Sequence, residues 1–130
     1  DKLAEAMERR SKKYTTRILV RFADQLKTIE VDHSAYIEIR SGAVFAMMLS
    51  GAEYPLDFSL EQLEKMLNPE HFFRINRKGI VAMRGISKMY AYSRSRVKLE
   101  MKTGELAEPV VSTERSGDFK KWLEDDLAIL

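Results

Sequence analysis

The hydrophobic positions of this chain change their period along its length. From Tyr14 to Tyr54 they follow the two-residue period of strands, through TTRILVRFADQLKTIEV and SAYIEIRSGAVFAMML. These segments are rich in Thr, Ile, Val, Tyr and Phe, with Ile37 and Ile39 on one side and Tyr36, Glu38 and Arg40 on the other. Asp24-Gln25, Ser41-Gly42 and Ser50-Gly51 interrupt the alternation as turns. The pattern predicts a β-meander of roughly five short strands. At Ser59 the period becomes helical. In SLEQLEKML, Leu60, Leu63, Met66 and Leu67 form an apolar stripe, Ser59 and Gln62 have the spacing of a capping box, and Asn68-Pro69 ends the helix.

Phe72 and Phe73 then open a strand, FFRI, followed by a turn over 76–79 and the apolar IVAM. KMYAYS and RVKLEM predict a hairpin turning at Ser93-Arg94-Ser95. LAEPVV reads as an edge or terminal strand, because Pro109 cannot donate to a ladder. Ser112 can cap a last helix, TERSGDFKKWLEDD, with Phe119, Trp122 and Leu123 toward the core. Gly117 weakens the start of that helix by about 1 kcal/mol relative to alanine. Phe73, Val81, Ile86 and Trp122 are further core positions. Before all this, residues 2–13 (KLAEAMERRSKK) are good helix formers with a thin apolar face of Leu3, Ala6 and Met7. The expected organisation is a linker helix over 1–13 and a mainly β domain with short helices over 14–130.

Composition narrows the function. At 130 residues, 45% apolar and 32% charged, the chain can bury a core without staples. It has no cysteine, which excludes a disulfide framework, thiol catalysis and cysteine-held zinc, and suits a cytoplasmic location. There is no signal peptide and no apolar run of membrane-spanning length. Beginning at Asp1, the sequence reads as part of a longer protein. His33 and His71 stand alone, and no Ser-His-Asp spacing, HExxH, P-loop or GxGxxG is present. The expectation is a protein that is not an enzyme and that uses no metal and no cofactor.

Charge is what points to a partner. The net charge is only +2, yet 71–99 contains no acid and eight fixed cations: Arg74, Arg77, Lys78, Arg84, Lys88, Arg94, Arg96 and Lys98. With no acid inside that stretch to pair with them, these cations suit a polyanion. Arg74, Asn76, Arg77 and Lys78 cluster at a turn, read here as leading from strand to helix, where free backbone N–H groups would add to the attraction for phosphate. Arginine and asparagine are also the side chains suited to guanine and adenine edges. A structural alternative is that these bases pair with the acidic helix around Glu61 and Glu64. RNA is disfavoured, because Tyr90 and Tyr92 are the sole aromatic pair placed for stacking on bases.

The string FFRINRKGIVAMRGISKM resembles the signature of the LytTR DNA-binding domain, and the segments on either side are similar to that domain's opening and closing parts. Upstream are the Tyr36-Ile37-Glu38 strand, the Gly42 turn and the Ser-Leu-x-x-Leu helix; downstream is GELAEPVVSTERSGDFKKWL. The resemblance spans roughly residues 14–124. It implies an elongated fold of antiparallel sheets whose loops, rather than a recognition helix, enter the major groove. It also implies an upstream receiver domain, a homodimer when activated, and the output role of a two-component response regulator that controls transcription.

Position by position, the resemblance implies reading loops at Arg40, Ser41 and Gly42, at Asn76, Arg77 and Lys78 with Arg74 just before, and at Ser112 and Thr113. Here Asn76 stands where the family commonly has histidine, Lys78 and Gly79 replace a usual Ser and apolar pair, and Ala82 replaces a frequent Asn. Thr113 occupies a position often held by arginine, for which Arg115 can substitute. Lys88, Arg94 and Arg96 complete the expected DNA contacts, and the expected partner is double-stranded DNA. The competing reading is a non-catalytic protein-interaction or membrane-anchored regulatory module using the same basic face, although this chain itself would carry no membrane segment.

Overall fold

In the computed structural model, residues 13–126 are described. The predicted linker helix over 1–13 therefore lies outside the described residues, apart from Lys13. Among the described residues, nine strands form three antiparallel sheets. β1 (Arg17–Phe22) and β2 (Gln25–Glu30) make a two-stranded ribbon. β3 (Ser34–Arg40), β4 (Ala43–Met48), β5 (Glu53–Leu56), β6 (Phe72–Asn76) and β7 (Gly79–Ala82) make a central sheet ordered β5-β4-β3-β7-β6. β8 (Ile86–Tyr92) and β9 (Arg96–Met101) make a second ribbon. The helices are α1 (Leu60–Met66) and α2 (Thr113–Asp126).

The predicted five strands up to Tyr54 are present, but they divide between two sheets rather than forming one meander. The first hairpin turns at Ala23-Asp24, since Phe22 pairs with Gln25. LAEPVV is not a strand: it makes a single bridge between Lys98 and Val110. Pro109 accepts from Leu99 N through its carbonyl, Val111 N donates to Val97 O, and the missing Pro109 N–H stops the ladder from extending.

The central sheet is buried on both sides, which the alternation in β3 did not reveal. One face carries Ile37, Ala46, Ile80 and Phe72, packed against Ile18 and Val20 of β1, Ile29 of β2, and Leu60, Leu63 and Leu67 around α1. The other carries Tyr36, Ile75 and Val81, packed against Leu99, Met101, Leu106, Val111, Phe119 and Trp122. Tyr36 and Glu38, which alternate with Ile37 and Ile39, are buried as well, because residues 105–107 cross that face. Tyr36 Oη donates to Glu105 O (3.2 Å), and Ala107 N donates to Glu38 Oε2 (2.9 Å). Sheets covered on both sides lose the polar alternation of half-exposed strands.

Helix α2 docks through aromatic rings. The Phe73, Phe119 and Trp122 centroids lie 5.3 to 5.6 Å apart, and Trp122 Nε1 donates to Pro69 O (2.9 Å). Helix α1 begins with the predicted capping box: Gln62 N donates to Ser59 Oγ (3.1 Å) and Ser59 N to Gln62 Oε1 (2.9 Å). Ser59→Ala removes half of it and should lower stability by about 1 kcal/mol, measured by urea unfolding. An unchanged midpoint would show that the box contributes nothing.

Candidate nucleic-acid interface

Two of the predicted loops are neighbours because β3 and β7 are. The β3–β4 hairpin turns at Ser41-Gly42, both in the left-handed region (φ 51° and 79°), as a two-residue hairpin loop requires; Gly42 meets that demand without a side-chain clash. The β6–β7 hairpin turns at Arg77-Lys78. Glu38 lies opposite Gly79, and Ile39 N donates to Lys78 O (2.9 Å), so both turns project from the same end of the sheet. The feature around Asn76 is thus a strand-to-strand turn, not the predicted strand-to-helix turn.

Asn76 builds that turn from within. It is 7% exposed, and its Oδ1 accepts from Lys78 N (2.8 Å). Its Nδ2 donates to Glu108 O (2.9 Å) and Val110 O (3.0 Å), tying the turn to the segment that leads into α2. Ser112 N donates to Ile75 O (2.9 Å), which places the third predicted loop beside β6. The second loop therefore neighbours both the first and the third.

Arg74 is also internal. Its side chain is 8% exposed, its Nε donates to Asn76 O (3.1 Å), and its Nη2 donates to Arg77 O (2.9 Å). Its charge is met by Glu61 (3.1 Å) and Glu64 (3.4 Å) of α1. Glu61 is held below the ordinary carboxylate range by a hydrogen bond with its own backbone N–H, and after that by Arg74. That contribution is present at neutral pH and is lost as pH falls through the lowered value.

The expectation that the cations of 71–99 have no internal partner is thus corrected at Arg74 and Lys78, which meet acids from outside that stretch, and two expected contacts beyond it, Arg40 and Arg115, are paired as well. Arg74 pairs as above. Arg40 pairs with Glu38 (3.3 Å) and Glu53, and lies 4.7 Å over the Phe45 ring. Its pKa is raised, chiefly by the hydrogen bond to Glu53. Lys78 Nζ is 3.3 Å from Glu108, a half-exposed pair of small energetic consequence. Arg115 Nη1 is 3.6 Å from Glu64 Oε2 and donates to Arg74 O (3.4 Å). Arg74 and Asn76 thus hold the turn from within. The acidic helix around Glu61 and Glu64, the structural alternative, supplies the partners of Arg74 and Arg115, whereas Glu53 and Glu108 carry no signal in the sequence.

Arg77 differs from these. It is exposed, and among the described residues its side chain has no hydrogen bond or ion pair. Ser41, Gly42 and Thr113 are also exposed, and Ser112 is half-buried. Lys88, Arg94 and Arg96 lie on the β8–β9 ribbon, which meets the third loop where Val111 N donates to Val97 O (2.9 Å). Arg94 is at the ribbon's tip with φ 60°, and Arg96 donates to Ser93 and lies 5.1 Å over Tyr92. Tyr90 Oη donates to Glu100 (2.9 Å), and that bond leads the rise in its pKa. Among the described residues, no group of His, Cys, Asp and Glu could hold a metal ion, and no helix is long and apolar enough to cross a membrane.

Comparison with known proteins gives the same picture. The family model described as the LytTr DNA-binding domain matches residues 7–124. A solved LytTr DNA-binding domain from Bacillus cereus, described as that of a methyl-accepting/DNA response regulator, superimposes with a TM-score of 0.73. It is 22% identical, and the match covers 84% of this chain and 97% of that one. No curated protein matches the chain.

Proposed function

The chain belongs to the LytTR family of DNA-binding domains, and on that premise we propose that it binds double-stranded DNA sequence-specifically, as the output domain of a response regulator that controls transcription. The observation that carries this reading is the exposed, unpaired Arg77 on a turn braced beside Ser41-Gly42 at one end of a sheet buried on both faces. A rigid turn presenting a free guanidinium can offer two parallel donors to the O6 and N7 atoms of guanine without first breaking an internal ion pair. Ser41 and Thr113 supply hydroxyls on the adjoining loops for bases or phosphates. Lys88, Arg94 and Lys98 on the ribbon contribute sequence-independent attraction to phosphate. In this reading the upstream partner is a receiver domain, and activation pairs two copies on repeated sites. The likeness to the Bacillus cereus domain supports the fold on which this reading rests, and a cytoplasmic location is part of the same proposal.

Arg77→Ala tests the reading directly. The preferred duplex should lose about 1–3 kcal/mol of binding, roughly 5- to 150-fold, with preference relaxed at the base it reads. Thermal stability should be unchanged, because the side chain touches nothing inside the domain. Lys88→Ala or Lys98→Ala should weaken every duplex alike. For the wild-type chain, log K should fall with log salt at about −0.9 per phosphate contact, near −5 for six contacts. A flat salt response, or equal binding of all duplexes, would overturn the proposal.

A further inference from the structure

The Glu64 carboxylate on α1 holds two elements distant in sequence at once. Its Oε1 is 3.4 Å from Arg74 Nη1, and its Oε2 is 3.6 Å from Arg115 Nη1. Each arginine leads to a loop. Arg74 donates to the carbonyls of Asn76 and Arg77, so its guanidinium fixes where the Arg77-Lys78 turn sits. Arg115 lies in the first turn of α2, three residues past Ser112, and also donates to Arg74 O (3.4 Å). Glu61 reaches Arg74 alone. Helix α1 carries none of the expected DNA contacts, yet one of its side chains joins two of the three loops.

We propose that Glu64 is a positioning residue for sequence recognition, setting the Arg77-Lys78 turn and Arg115 in a fixed relation so that they meet DNA as one unit. This inference rests on the DNA-binding reading above. It makes a prediction opposite in sign to simple electrostatics. Removing a negative charge beside two arginines should by itself raise affinity for any duplex. Loss of positioning should instead lower the preference for the right sequence.

The test uses the 130-residue chain, a duplex that the wild-type chain selects from a random library, and a scrambled duplex of equal length. For Glu64→Gln, the ratio of selected to scrambled affinity should fall by about fivefold or more, while affinity for the scrambled duplex stays equal or rises. In a double-mutant cycle, Glu64→Gln and Arg115→Gln should cost less together than the sum of their separate effects on that ratio. An unchanged ratio in Glu64→Gln overturns the proposal, as do additive effects in the cycle. A lowered melting temperature with both duplexes weakened equally also overturns it, by showing a merely structural role. If the wild-type chain itself shows no preference, the DNA-reading proposal fails and takes this one with it, a result separate from any behaviour of the variants.

Discussion

Gly85→Ala is expected to destabilise the domain by about 3 kcal/mol or more, lowering the melting temperature by roughly 10 °C. Gly85 closes the single 3-10 turn Met83–Gly85 between β7 and β8, where the chain passes against the backbone of Ala35. A Cβ added there would lie 2.6 Å from Ala35 Cα and 2.8 Å from its carbonyl carbon, with the carbonyl oxygen nearer still. These are backbone atoms, not the tip of a flexible side chain, and Ala35 is fully buried in the second core. Relief would require β3 to move, and β3 is held on one side by β4 and on the other by β7. Gly85 O also accepts from Lys102 N (2.8 Å), so shifting the turn instead would disturb the chain leaving β9. Thermal unfolding followed by circular dichroism decides the matter: a melting temperature within about 2 °C of wild type would mean the strands part more easily than close packing allows.

Asn76→Ala is the second large effect, expected to cost about 2–4 kcal/mol. Alanine leaves Lys78 N, Glu108 O and Val110 O without the partner that Asn76 provides to each. Leaving a buried polar group unsatisfied typically costs about 1–3 kcal/mol, and partial access of water to the turn reduces the total below the sum. Asn76→Asp separates the two halves of the interaction. It keeps the acceptor toward Lys78 N but directs a carboxylate at two carbonyl oxygens, so it should be at least as damaging near neutral pH. Chemical unfolding of both variants tests this, and wild-type stability in Asn76→Ala would return Asn76 to the role of a free base-reading side chain.

The sequence revealed the elements well and their partners poorly, for physical reasons. Local signals are complete within a few residues: the Ser59/Gln62 box, the Ser41-Gly42 turn and the Ser93-Arg94-Ser95 turn each form from neighbours in the chain. The family was legible because FFRINRKGIVAMRGISKM and the flanking segments resemble it, and the family model matches residues 7–124. What inspection left undecided was whether the cations of 71–99 stay free for a polyanion or pair with the acids around Glu61 and Glu64. The 71–99 stretch contains no acid, yet Arg74 is met by Glu61 and Glu64, and Lys78 by Glu108, all from outside it. An ion pair across ten or thirty residues leaves no periodicity for inspection to find. Likewise Glu38 alternates like a solvent-facing residue but is buried, because residues 105–107 cross over it. Of the second loop's polar residues, only Arg77 combines exposure with freedom from internal partners.

The bond from Ile39 N to Lys78 O has a metric consequence. It makes the two exposed hairpins adjacent in the order β4-β3-β7-β6, so their tips stand two strand spacings apart, about 10 Å. Stacked nucleotides rise about 3.4 Å each along one strand, so that interval amounts to roughly three steps of a duplex. In the DNA-reading role proposed above, this spacing is a short ruler whose length is set by β-sheet hydrogen bonding, and substitutions in either hairpin tip would alter what is touched without altering the gauge.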